Sequence, residues 1–248
     1  MRLLFEIAYN GTNYNGWQTQ HQGTSIQAVV EDAMSKMLRE KIEITGSGRT
    51  DAGVHCEQQF FHADVQGTFE AENFLQKLNS FLPRDITVPS VRAITNEAHA
   101  RYDAIERTYH YRITRVKNPF LIGLALHYFK SVDVQAMNEA AALMIGEQDF
   151  ECFSKVKTNV KHFLCDVKKA SWEENGDRLE FTIIANRFLR GMVRAVVGTL
   201  LDVGTGKITR EEFEKIIRSQ DRRKAGANVP PYGLYLSRVK YPDSIYKN

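Results

Sequence analysis

The segment Gly46-Ser47-Gly48-Arg49-Thr50-Asp51-Ala52-Gly53-Val54-His55 sets one carboxylate and one guanidinium in a loop punctuated by three glycines, between two stretches of apolar strand-like sequence. Glycine lets a backbone take φ > 0 and lets a ligand come close. Asp51 and Arg49 are therefore candidates for work on a bound molecule, although an ordinary surface turn would use Asp51 only to bond its own backbone. A second signal is Phe188–Leu201, which is apolar on almost every side and reads as a buried helix. Arg190 and Arg194 stand four apart on one face of it, with Gly191 and Gly198 nearby to allow close packing. A buried guanidinium without a partner costs several kcal/mol, so a carboxylate from elsewhere should meet Arg194, and Asp51 is the candidate. In Glu106-Arg107-Thr108-Tyr109-His110-Tyr111-Arg112, strand alternation puts Tyr109 and Tyr111 on one face and His110 on the other. Tyrosines beside arginines suit base stacking, but two tyrosines packed in a core with bonded hydroxyls are common too. Spacing alone does not choose between them.

These residues need a scaffold. Leu3, Phe5 and Ile7 alternate as a strand, Tyr9–Asn13 supplies turn chemistry, and a loop holding Trp17 follows. From Ser25, an N-cap, Ile26, Val29, Val30, Ala33, Met34, Met37 and Leu38 recur at helical spacing, so this helix must cover a sheet. Ile42 and Ile44 start a second strand, and Val54–Asp64 resumes it after the glycine loop. A helix through Phe74, Leu75 and Leu78 ends near Pro83, and a strand over Ile86–Ile94 completes a β-α-β-β-α-β order typical of ferredoxin-like domains. The second half repeats this plan with a strand Arg107–Val116, a helix Val134–Ile145 capped by Asp133, and strands Val167–Trp172 and Leu179–Ala185. Helices Phe188–Val203 and Arg210–Arg218 and a strand Leu234–Val239 follow. The expected class is α+β, with two ferredoxin-like halves joined in one extended, mainly antiparallel sheet flanked by helices. Residues 1–103 form the N-terminal domain with the loop 46–55, and residues 104–248 form a C-terminal domain completing the site.

A chain of 248 residues with 43% hydrophobic content can build a real core. No stretch nears the roughly 18 unbroken apolar residues of a membrane span, and Met1–Phe5 runs straight into strand-like sequence, so a cytoplasmic protein is expected. Cys56, Cys152 and Cys165 are widely separated, with no C-x-x-C pair, and read as reduced thiols. His55 and Cys56 fall on opposite faces of a strand, so no metal site is expected. Lys plus Arg exceed Asp plus Glu by only 33 to 30, so any nucleic-acid surface must come from clustering. The clusters are Lys155, Lys157 and Lys161, then Arg187, Arg190 and Arg194, then Arg222, Arg223 and Lys224.

Along its whole length the sequence resembles the tRNA pseudouridine synthase A family. The resemblance is carried by Tyr9-Asn10-Gly11-Thr12 with Gly16-Trp17-Gln18, Gly48–His55, and Arg107–Tyr111. It continues in Gly146–Phe150, Met192-Val193-Arg194 with Val197–Leu200, and Tyr232–Leu236 with Tyr241-Pro242. The G-R-T-D-A-G-V-H block is highly specific by itself. The sequence departs from the family at Asn10 (usually Asp), Gln148 (usually His), Lys161-His162 (commonly Arg-Thr), Gly191 (often His) and Asn228–Pro231.

The resemblance implies that Asp51 is the catalytic aspartate, Arg194 the arginine paired with it, Tyr109 the active-site tyrosine and Arg49 a substrate-side arginine. It implies a homodimer acting on the anticodon arm of tRNA at uridines 38, 39 and 40. In that reaction the C1′–N1 bond breaks, the uracil turns, and C1′ joins C5. Charge at C1′ resembles that in glycoside hydrolysis, where a carboxylate either stabilises the cation or attacks it; Asp51 suits both roles. Tyr109 offers a plane for the detached base and a hydroxyl near C5, while Arg49 could fill the vacated stack or grip a phosphate. A non-catalytic RNA-binding module would need no Asp51 facing Arg194, and a small-molecule isomerase would not bind tRNA at physiological salt.

Overall fold

The computed structural model describes every residue except His21, Thr68, Phe69, Lys157, Thr158, Asn159 and Asn248. Among the described residues the order is β1 (Arg2–Tyr9), α1 (Ile26–Leu38), β2 (Thr45–Gly46), β3 (His55–Asp64), α2 (Ala71–Phe81), β4 (Ile86–Ala93) and β5 (Glu106–Thr114). Then come β6 (Leu126–His127), α3 (Val134–Ala142), β7 (Gly146–Asp149), β8 (Leu164–Asn175), β9 (Arg178–Ala185), α4 (Met192–Gly204), α5 (Arg210–Ser219) and β10 (Leu234–Lys240). The expected α+β class is the one that forms. Contacts gather into two compact units, Met1–Ile105 with Tyr235–Asn248, and Glu106–Leu234.

In the first unit β1 lies antiparallel between β4 and β3, and the short β2 joins β3. The order β4-β1-β3-β2 with α1 and α2 in the connections is the ferredoxin-like arrangement. β10 is a further strand, parallel to β3, with Tyr235 opposite His55 and Leu236 opposite Cys56. Ser25 Oγ caps α1 by accepting from Ala28 N at 3.2 Å. Ile26, Val30 and Met34, spaced four apart, are wholly buried along one stripe of that helix. Phe5 and Phe61 stack at 4.9 Å between ring centroids, and Phe74 of α2 closes on Phe5 at 5.8 Å. Ile42 and Ile44 do not open a strand. Their amides donate instead to Ser35 Oγ and Glu31 Oε1 of α1, at 2.9 and 3.0 Å, so those donors go to the helix and not to a ladder.

In the second unit the order is β5-β9-β8-β7, antiparallel throughout, with β6 parallel to β5. Asp133 caps α3 through Ala136 N at 2.9 Å. That helix stops at Ala142 because the residues beyond it form a turn whose carbonyls, Leu143 O and Ile145 O, accept from Gln148 Nε2 at 2.9 and 3.1 Å. The departure at Gln148 thus closes a helix end with one amide donating twice. α4 begins at Met192, four residues later than the apolar run suggests, because Gly191 takes the left-handed conformation with φ +75° as its N-cap. Arg190 consequently lies off the helix and is exposed, so it shares no helical face with Arg194.

Candidate active site

Asp51 opens a four-residue turn. Val54 N donates to Asp51 O at 3.2 Å, and Gly53 takes φ +76°, as a turn of this kind requires at its third position. Of the three loop glycines only Gly53 uses the left-handed region. Gly46 is needed for space: a Cβ there would stand 2.4 Å from the Trp17 indole. Gly48 has nothing within 4 Å of such a Cβ.

The turn is fastened to the chain segment after β1. Tyr9 Oη and Thr50 Oγ1 share a buried hydrogen bond of 2.8 Å. Trp17 N donates to Thr50 O at 3.2 Å, and Gly53 N to Tyr14 O at 3.2 Å. Gly16, with φ +84°, could carry no side chain, since its Cβ would fall 2.3 Å from Thr50 O. Gly11 is as tightly placed, its Cβ position being 2.0 Å from Val54 O, and its N–H donates to His55 Nδ1 at 3.1 Å. The His55 ring is 2% exposed and stacks on Tyr235 at 4.7 Å. Asn10 accepts from both Thr12 N and Thr12 Oγ1, at 3.0 and 2.7 Å, so the amide in place of the family's usual carboxylate still caps this turn. Asp51 is half-buried in the result, while Arg49 is exposed. Sequence reading singled out Asp51 and Arg49 as candidates and did not name Gly11, Gly16 and His55 as residues packed against their loop. The signal was available in the Asn10-Gly11 and Gly16-Trp17 pairs, though nothing in spacing says that they touch the loop.

The second unit carries Tyr109 and Arg194. Tyr109 is half-buried on β5, edge to face with Phe188 at 5.0 Å and 83°. Tyr111, on the same face by alternation, is wholly buried and donates its hydroxyl to Pro230 O at 2.9 Å. Burial pushes its ionisation far upward. Of the two tyrosines, only Tyr109 has a ring that anything outside the core can reach. Arg194 is half-buried and clasped to the segment before β10: its Nε donates to Val229 O at 2.7 Å, and Val229 N donates to Arg194 O at 3.2 Å. Gly198 permits that approach, since its Cβ would meet Ala227 O at 1.9 Å, and Gly226 N donates to Thr199 Oγ1 at 2.9 Å.

The basic clusters divide on inspection. Arg222 donates to Ala225 O, Gly226 O and Asn228 Oδ1 at 3.3, 3.1 and 2.7 Å, so it ties down the segment beneath Arg194. Arg223 pairs with Asp221 at 2.8 Å and holds that carboxyl down at about 2, first through the side-chain hydrogen bond. Arg187 Nη1 meets His162 Nε2 at 3.2 Å. Lys155, Lys161, Arg190 and Lys224 are exposed, and Lys157 lies outside the described residues. Among the described residues no group of three or more His, Cys, Asp or Glu is placed to hold a metal ion. The three cysteines are buried and unbridged, and burial pushes the Cys152 and Cys165 thiols up to about 12 and about 11. Among the described residues no helix is long and apolar enough to cross a membrane.

The sequence profile of a family described as tRNA pseudouridine synthase matches residues 7–103 and 140–242. Asp51, Arg49 and Arg194 fall inside those spans, and Tyr109 falls between them. A tRNA pseudouridine synthase A of Porphyromonas gingivalis is 46% identical over 250 residues, covering 99% of each chain. One of Bacteroides thetaiotaomicron is 45% identical over 248 residues, covering 99% of this chain and 92% of its own. One of an Exiguobacterium species is 37% identical over 240 residues, covering 97% and 98%.

Proposed function

This chain belongs to the tRNA pseudouridine synthase family, and from that premise we propose that it isomerises uridine to pseudouridine at positions 38, 39 and 40 in the anticodon arm of tRNA. It does so in the cytoplasm, as a homodimer, with no metal or cofactor. The observation that supports this best is the fastening of Asp51: a half-buried carboxylate at the head of a turn whose backbone is bonded to Tyr14 and Trp17, beside an Arg49 that is exposed. Such preorganisation is what a group needs if it is to meet charge as it develops.

In the proposed reaction the N1–C1′ bond breaks, and the cationic character left at C1′ is met by the Asp51 carboxylate. The uracil rotates over the Tyr109 ring, C5 bonds to C1′, the C5 proton leaves, and N1 gains one. Arg194 is the guanidinium assigned to orient Asp51, and Arg49 the group that faces the RNA. Phosphate contacts from Lys155, Lys161, Arg190 and Lys224 would position the arm without reading bases. The homodimer reading draws support from Phe120, Ile122 and Phe129, which are 86, 79 and 79% exposed within ten residues of one another; monomers seldom leave such side chains bare together.

Because the C5 hydrogen is lost, tRNA labelled with tritium at uridine C5 releases label into water as the reaction proceeds. We expect Asp51→Asn to bind tRNA within about threefold of normal and to lose turnover by on the order of 10³-fold or more. Arg194→Lys should keep binding and lose rate, because lysine cannot hold a carboxylate and Val229 O in one plane. Substantial label release by Asp51→Asn would remove Asp51 from the chemistry. Modification confined to another arm of tRNA would refute the substrate positions and leave uridine isomerisation standing.

A further inference from the structure

The sequence places His55 at the end of the glycine-loop block, beside Cys56, without giving it a role, and the chemistry proposed for Asp51 does not use it. Its surroundings show more. His55 is the first residue after the Asp51–Val54 turn and the first of β3. A buried imidazole whose Nδ1 accepts the Gly11 N–H cannot carry a proton on that nitrogen, so if neutral it carries its proton on Nε2. Gly11 lies so close to the turn that even a methyl group there would overlap Val54 O. A face of the imidazole stacks on Tyr235, the residue paired with His55 across the β3–β10 ladder.

We infer that His55 is a positioning residue of the isomerase: as a neutral Nε2–H tautomer it locks the C-terminal root of the Asp51 turn against Gly11, and so sets where the carboxylate points. This rests on the reading of Asp51 as the catalytic carboxylate. The turn has only two roots. The first, Thr50, is held by Tyr9 and by Trp17 N. The second is held by Gly53 N on Tyr14 O and by the His55 ring on Gly11. Of those fastenings on the second root, the imidazole is the one made by a side chain, and the one that a change of tautomer or protonation would break. A carboxylate displaced by about 1 Å can cost on the order of 10²-fold in rate with little change in binding.

His55→Phe keeps a ring on Tyr235 and removes the acceptor; His55→Asn places an amide oxygen near the position of Nδ1 and gives up most of the ring. With tritium release at saturating tRNA, His55→Phe should lower kcat by about 30- to 100-fold with KM within about threefold. His55→Asn should recover at least about tenfold of that loss. If His55→Phe turns over at the normal rate while Asp51→Asn is inactive, the inference about His55 fails and the role of Asp51 stands. If Asp51→Asn is active, the underlying reading fails first. Equal loss in both His55 variants, without rescue, would also overturn the inference by reducing His55 to a packing residue. Should His55→Phe not fold, the wild-type protein still decides: ¹⁵N–¹H spectra of the imidazole should show Nε2 protonated and Nδ1 bare, and a proton on Nδ1 would overturn it.

Discussion

Tyr109 and Tyr111 are identical to any reading that uses strand alternation, and they have opposite fates. What separates them is Pro230 and Gly233, more than a hundred residues away in sequence, whose carbonyl and missing side chain make a socket for Tyr111. Tyr111→Phe should therefore destabilise the protein by about 1 kcal/mol, the cost of leaving a buried carbonyl unpaired, and should leave kcat alone. Tyr109→Phe keeps the half-buried ring and removes only the hydroxyl. If it leaves kcat near normal, the Tyr109 hydroxyl does not take the C5 proton and the ring acts as a stacking plane. A kcat loss in Tyr111→Phe as large as in Tyr109→Phe would undo the distinction. Asp51 and Arg49 were legible because a carboxylate and a guanidinium among three glycines are few and local. Arg190 was misplaced because a helix start depends on one backbone angle, φ +75° at Gly191, which an apolar run does not encode.

Elements were legible where periodicity and caps agreed, as in α1 with Ser25 and α3 with Asp133. They were not legible where a side chain from another element claims a backbone donor, as Glu31 does at Ile44. His62 is another such claim. Its Nδ1 accepts from Ala100 N at 3.0 Å, fixing the segment after β4 on β3. Burial, then Arg2 and His99, lowers its pKa from 6.5 to about 4. Between those values the unfolded chain binds the proton and the folded one does not. The contribution is thus complete above pH 6.5 and is lost as pH falls towards 4, by on the order of 3 kcal/mol. His62→Asn, whose amide oxygen can accept the same N–H, should lose less stability than wild type between pH 7 and pH 4.5 in denaturant melts. Parallel losses in the two proteins would show that other groups set the acid limit.

At the scale of the molecule, composition predicted little beyond a packed core and a charge too small to coat RNA. Arg222 shows why runs of basic residues mislead: it is spent on Ala225, Gly226 and Asn228, so replacing it would disturb the support of Arg194 along with any surface. The proposed dimer is better tested at Phe120 and Phe129. Replacing both by Asp should shift the protein to monomer in sedimentation at micromolar concentration, and an unchanged mass would move the interface elsewhere. The last strand has a neighbour far from it in sequence: β10 pairs with β3, and Tyr235–Asn248 gather with the first unit. That arrangement has a temporal side. On the ribosome, residues 1–105 emerge about 130 residues before the strand that covers β3, on the order of ten seconds at typical elongation rates. Throughout that interval the nascent first unit presents the start of β3, including His55, as an unsatisfied edge. The Asp51 turn would reach its final form only once β10 has emerged, and arrested chains stopping before residue 235 should be cut by protease near the glycine loop while chains that include β10 are not.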